Sequence, residues 1–312
     1  MSPHSEAAAA PPTADTPNGY LAPEGFLAEL ESELAGCAIE KFGNLVLARS
    51  PNAPPAWVAN EWLEPRRFAI TSIGDAARQL KAIQRNWALY PFAHHRRAAL
   101  IAERLPAVSL KPIGFGAPAP TAPLGAWTLI APDTLLVSAR CSSPFANGEP
   151  RFIEDREAPP SRAYLKLWEL FTVLGVRPAP GDRCLDLGAS PGGWSFVLQG
   201  LGARVIAVDK APLDPRIAGL PGIETRVMSA FACTPEEVGP VDWLFSDVIC
   251  YPPRLLALIQ RWLASGLARR FVCSVKFQGP TDFATQRAFA AIPGSRLLHL
   301  HHNKHELTFV RL

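Results

Sequence analysis

The chain has 312 residues, 48% of them hydrophobic and 19% charged, with a formal net charge of +3. Those are globular values with length enough for two cores. No apolar run approaches the roughly 18 residues of a spanning helix, which excludes a helical membrane protein. The six cysteines (Cys37, Cys141, Cys184, Cys233, Cys250, Cys273) contain no C-x-x-C pair, so neither a zinc site nor a disulfide framework is indicated.

Residues 1–20 are alanine, proline and small polar residues, expected to be a disordered tail. They lack the basic start and apolar stretch of a signal peptide, and a cytoplasmic location is expected. Apolar residues at 26, 27, 30 and 34 form a helical stripe, and Asn44 to Ala48 reads as a short strand. Pro51 to Pro55 is a turn, and Phe68 to Ile73 another strand. Asp75–Trp87 and His94–Leu105 are expected helices carrying Lys81, Arg85, Arg96 and Arg97. That mixture of basic residues and tryptophan fits an RNA-contacting face and an ordinary amphipathic helix pair equally well. Strands are expected at 127–130 and 134–139, and the proline-punctuated stretch 144–160 places a domain boundary near 155.

The second half alternates strands with helices. Ser161 is a plausible N-cap for a helix that carries Lys166. Strands follow at 183–187, 204–208, 223–228, 241–247 and 270–276, with helices at 194–201, 254–267 and 282–291. A C-terminal hairpin, 296–301 with 307–312, closes the pattern. The pattern predicts an α/β fold: a doubly wound, mostly parallel, Rossmann-like sheet with an antiparallel C-terminal edge, preceded by a small α+β domain. The domains expected are a 1–20 tail, 21–155 and 156–312.

Between Arg183 and Asp209 the sequence RCLDLGASPGGWSFVLQGLGARVIAVD reads as strand, glycine turn, helix, strand. That unit places a ligand site at the carboxyl ends of the strands. Asp186 lies near the end of the first strand, and Gly188, Ala189, Ser190, Pro191, Gly192 and Gly193 make the turn before Trp194. Asp209, about 20 residues beyond the first glycine, can accept hydrogen bonds from ribose hydroxyls. Ser190-Pro191 interrupts the G-x-G-x-x-G spacing that a pyrophosphate cradle needs, which argues against NAD or FAD.

The string D-L-G-A-S-P-G-G-W resembles the S-adenosyl-L-methionine loop of the FtsJ-like ribose 2′-O-methyltransferases, a class I methyltransferase family. The resemblance covers about residues 158–312. It implies a Lys-Asp-Lys-Glu tetrad at Lys166 in SRAYLKLWE, Asp247 in LFSDV, Lys276 in CSVKF and Glu306 in NKHELTF. A ribose hydroxyl must lose its proton as the methyl arrives, and a neutral lysine can take it. Lys276 is expected to be that base, with Lys166, Asp247 and Glu306 positioning it. Asp247 is also expected beside the cofactor. Where relatives carry an acidic residue for the adenine, this chain has Met228-Ser229-Ala230, which leaves Ser229 for that contact.

The front half, from LAPEGFLAELESELAG to PPSRAYLKLWELF, resembles the 23S rRNA cytidine 2′-O-methyltransferases of the RlmM type. It implies a ferredoxin-like and abbreviated THUMP-like RNA-binding region before the catalytic domain, with 23S rRNA as partner. A catalytically silent RNA-binding or assembly factor, and a methyltransferase acting on another RNA, are the competing readings. His299, His301, His302 and His305 fit no metal-ligand spacing, so no metal is expected; these side chains are placed on an RNA-facing hairpin.

Overall fold

The computed structural model describes residues 16–49 and 51–312. The described chain divides into two compact units. One holds residues 16–49, 51–55, 60–108 and 123–142; the other holds 56–59, 109–122 and 143–312.

The first unit contains strands β1 (Asn18–Leu21), β2 (Ala38–Phe42), β3 (Leu45–Ala48), β4 (Asn60–Leu63), β5 (Arg66–Ala69), β6 (Trp87–Leu89), β7 (Gly125–Ala131), β8 (Thr134–Ser138) and β9 (Arg140–Cys141). Its helices are α1 (Leu27–Glu33), α2 (Ile73–Ile83) and α3 (His95–Ala102). One sheet runs β2-β3-β1-β4-β9 and the other β5-β8-β7-β6. Leu21, Leu45, Leu47, Trp62, Ala126 and Leu136 share a core. Most of the expected tail, residues 1–15, lies outside the described residues, but its last residues belong to β1, which pairs with β3 and β4.

Two expectations in this unit shift. The strand expected over 68–73 lies at 66–69, because the Ser72 hydroxyl accepts from the Asp75 N–H at 3.1 Å and starts α2 there. Trp87 is not the end of a helix. It lies on β6, 4% exposed, with its indole N–H donating to the Leu80 and Gln84 carbonyls at 3.0 Å. The aromatic of the basic stretch is therefore core, while Lys81, Arg85 and Arg96 are exposed.

The second unit follows the expected alternation. Helix α4 (Tyr164–Leu174) precedes β10 (Arg183–Leu187), α5 (Gly193–Gly200) and β11 (Arg204–Asp209). After α6 (Pro215–Ala218) come β12 (Ile223–Val227), α7 (Pro235–Val238), β13 (Val241–Ser246), α8 (Pro252–Ser265) and β14 (Ala268–Lys276). Then α9 (Phe283–Ala290), β15 (Ser295–Leu298) and β16 (Glu306–Arg311) end the chain. Strand order is β12-β11-β10-β13-β14-β16-β15. The first five are mutually parallel, and β16 and β15 add an antiparallel edge. The order reverses between β10 and β13, where an open α/β sheet leaves a crevice at its carboxyl edge.

The unit boundaries differ from a cut at 155. The second unit starts its main span at Ser143 and takes two earlier segments, one of which buries Trp57 completely. Composition cannot reveal such an exchange, because Ala56 to Ala59 has the apolar character of any core segment. Ser161 is not the cap of α4: Ala163 holds that position without a side-chain bond.

Candidate active site

The glycine turn after β10 is set by one backbone demand. Gly188 has φ +80°, and a Cβ there would stand 2.7 Å from Val248 Cα. Only glycine lets the β10 and β13 loops come this close. Trp194 fixes the other end of the turn, donating from its indole N–H to the Ala163 carbonyl at 3.0 Å.

These loops enclose a cleft of about 350 Å³, bordered by Asp186, Gly188, Ala189, Ser190, Pro191, Gly193, Trp194, Asp209, Asp247 and Lys276. Ser161, Ala163, Val248 and Ile249, not singled out in the sequence, complete it. Two expected cofactor contacts do not border the cleft. Gly192 has φ +116°, and a Cβ there would meet Ile217 Cγ2 at 2.9 Å, so it serves packing. The Ser229 hydroxyl instead accepts from the Phe231 N–H at 3.3 Å.

Carboxylates dominate the cleft. Asp186 is fully buried; one oxygen accepts from Ser195 Oγ at 2.7 Å, and Oδ1 has no partner among the described residues. Burial, with Asp247 and Asp209 nearby, pushes its pKa up to about 7 despite the Ser195 bond. Asp209 accepts from the Ser190 and Ala211 N–H groups, each at 3.0 Å, which leaves its remaining lone pairs free to face the cleft.

Beside it lies a larger cleft of about 950 Å³ that shares Ala163, Ile249 and Lys276 with the first. Arg151, Arg162, Lys166, Lys276 and Lys304 border it against only Glu154 and Glu306, so it is cationic. His301 and His302 also border it; His299 and His305 do not. His302 Nδ1 lies 2.6 Å from Glu169 Oε2, a buried carboxylate that also accepts both histidines' backbone N–H groups. His299 is buried, and desolvation pulls its pKa down to about 4. Among the described residues no group of three or more His, Cys, Asp and Glu side chains gathers as a metal would need.

Where the clefts meet, the four tetrad residues form one connected network. Lys166, in the first turn of α4, reaches Asp247 Oδ1 at 3.0 Å and Glu306 Oε1 at 2.7 Å. Lys276, at the end of β14, reaches the same Asp247 oxygen at 3.1 Å and the Asp247 carbonyl at 2.5 Å. Lys276 and Glu306 face each other in the β14–β16 register. Side chains here are 7–18% exposed, so the charges interact through little water. Burial opposes the charge on Lys166, but Asp247 and Glu306 outweigh it and raise its pKa. Burial likewise opposes the charge on Asp247, and the two lysines hold its carboxyl below the usual range.

Residues 159–254 match the model of the FtsJ-like methyltransferase family. The chain is 36% identical over 170 residues to the ribosomal RNA large subunit methyltransferase M of Halorhodospira halophila, covering 52% of this chain and 49% of that protein. It is 34% identical over 177 residues to the same-named protein of Aromatoleum aromaticum, covering 52% and 47%. The chain thus spans about half the length of the curated relatives it matches. Among solved structures, fibrillarin of Aeropyrum pernix with natively bound S-adenosyl-L-methionine covers 62% of this chain and 84% of its own, at 17% identity and TM-score 0.37. The described topology of the second unit, not that distant likeness, establishes the fold. The glycine turn, Lys166 and Asp247 all lie inside the segment that matches the FtsJ-like methyltransferase model.

Proposed function

We propose that the second unit transfers a methyl group from S-adenosyl-L-methionine to a ribose 2′-hydroxyl of RNA, with 23S ribosomal RNA in the cytoplasm as the substrate. The observation that carries this reading is the Lys166–Asp247–Lys276–Glu306 network at the junction of the two clefts.

The smaller cleft fits the cofactor. A sulfonium and an ammonium favour a site rich in carboxylates, and the unpartnered Asp186 Oδ1 is an acceptor awaiting a donor. Asp186 and the Gly188–Trp194 turn would hold the amino-acid end, and Asp209 the ribose hydroxyls. When bound, the cofactor supplies an already activated methyl, so the protein's part is alignment and proton removal.

The larger cleft suits a polyanion. Its cations engage phosphates, and such binding weakens steeply with salt. Proton removal falls to Lys276. Two ammonium groups on one Asp247 oxygen are more charge than that oxygen balances. Lys166 is bonded to both Asp247 and Glu306, which hold it charged, so the role of base falls to Lys276, which borders both clefts. Lys276 Nζ then accepts the 2′-hydroxyl proton, while Lys166 stays charged and fixes Asp247 and Glu306. In the first unit, exposed Lys81, Arg85 and Arg96 favour a further contribution to RNA affinity.

Mapping 2′-O-methylation in large-subunit ribosomal RNA from cells lacking the protein tests this reading. One lost methyl, restored by the wild-type chain and not by Lys276→Ala, is expected. An unchanged map together with no transfer by the purified protein would refute it.

A further inference from the structure

Trp57 comes more than 100 residues before the first strand of the methyltransferase sheet, yet it is a core residue of that unit and 0% exposed. Its ring lies 5.8 Å from Phe277, 5.2 Å from His299 and 5.7 Å from His305, centroid to centroid. Its indole N–H donates to Gln286 Oε1 on α9 at 3.1 Å. The neighbouring Ala56 carbonyl accepts from the His299 N–H at 3.0 Å, so the segment is tied by its backbone as well.

Two of the rings it touches are sequence neighbours of the tetrad. Phe277 follows Lys276, and His305 precedes Glu306. The Phe277 N–H donates to the His305 carbonyl at 3.1 Å, their rings are 5.4 Å apart, and Lys276 pairs with Glu306 one step inward. Lys276 and Glu306 border the larger cleft, while the Phe277 and His305 rings pack on the indole. None of these three rings borders the smaller cleft.

We propose that Trp57 is a positioning residue of the site: its indole, held by Gln286, fixes the ends of β14 and β16 and so sets Lys276 and Glu306 against Asp247. This rests on the methyl-transfer reading above. The physical warrant is that two strand ends facing a cleft have room to splay, and misplacement of a proton acceptor by about 1 Å costs on the order of 10²-fold in rate. A large flat ring bonded at its far edge removes that freedom without touching any reactant.

The test uses the full chain with Trp57→Leu, Trp57→Phe and Gln286→Leu. Three readings are taken: cofactor affinity by calorimetry, the single-turnover transfer rate at saturating cofactor across pH, and the amplitude of that turnover. The RNA is large-subunit ribosomal RNA from cells lacking the protein. For Trp57→Leu the rate constant should fall roughly 10- to 100-fold with a displaced pH profile, and cofactor affinity should stay within about twofold. Trp57→Phe should recover most of the rate, and Gln286→Leu should show a smaller loss of the same kind. A merely structural tryptophan would reduce the amplitude and leave the rate constant and pH profile in place, and that result overturns the proposal. If Trp57→Leu does not fold, wild-type kinetics in Trp57→Phe and Gln286→Leu together overturn it. Wild-type protein that transfers no methyl would instead refute the functional reading on which the proposal stands.

Discussion

Removing Lys166 should cost stability through Glu306 and not through Asp247. Lys166 is the only member of the network bonded to both carboxylates, at 2.7 Å to Glu306 and 3.0 Å to Asp247. In Lys166→Met, Asp247 keeps Lys276 at 3.1 Å. Among the described residues, Glu306, 7% exposed, keeps a long contact from the Lys304 N–H at 3.4 Å. Breaking a buried pair by deleting one partner costs about 3–5 kcal/mol, because the survivor is a desolvated charge. That is a large share of the roughly 5–15 kcal/mol a domain has. Glu306→Gln in the same chain removes the stranded charge and keeps the volume, so the double variant should regain most of the loss. The expected coupling between the two sites is roughly 2–3 kcal/mol. Urea titration followed by tryptophan fluorescence near neutral pH measures all four corners of this cycle. Methyl transfer should stay low in both Lys166 variants, since neither restores the cation. Additive effects within about 0.5 kcal/mol, the ordinary range for independent sites, would refute the account of Lys166 as the hub.

Lys276→Ala should lower single-turnover transfer by roughly 10²-fold or more, and Lys276→Arg nearly as much, because a guanidinium keeps its proton. Lys276 borders the cofactor cleft as well, so the rates must be read at saturating cofactor; an arginine variant near wild-type speed would point to charge alone. Gly188→Ala should cost about 1–3 kcal/mol in strain and displace Val248, weakening cofactor binding in calorimetry. Gly192→Ala, whose Cβ meets Ile217 outside the cleft, should lose stability while binding cofactor more nearly as wild type does. Asp186 has its folded pKa raised from 3.8 to about 7, so its stabilising contribution is complete below the unfolded value and fades as pH rises through the folded one. Asp186→Asn should therefore gain thermal stability relative to wild type between acid and neutral pH, and wild type should release a proton on binding the cationic cofactor. A pH-independent difference between their melting temperatures would refute this.

Much of the second unit was legible from local pattern. Short apolar runs at regular intervals, each followed by a helical stripe, dictate parallel strands with crossovers, and Gly188 and Asp209 stand where such a unit presents its edge. Lys166, Asp247, Lys276 and Glu306 were legible as strand-end or first-turn charges in a familiar order. What the pattern could not give was that Lys166 sits between two carboxylates and Lys276 on one. That asymmetry depends on distances between residues as many as 140 positions apart in the chain. Strands β1, β2, β4 and β9 were missed because short pairings carry too little periodicity to stand out from loops, and β6 because Trp87 extends the helical stripe before it. The Trp57 segment was illegible for a stronger reason. A lone buried tryptophan beside prolines looks the same whichever core it enters, and only the packed rings of Phe277, His299 and His305 decide that it enters this one.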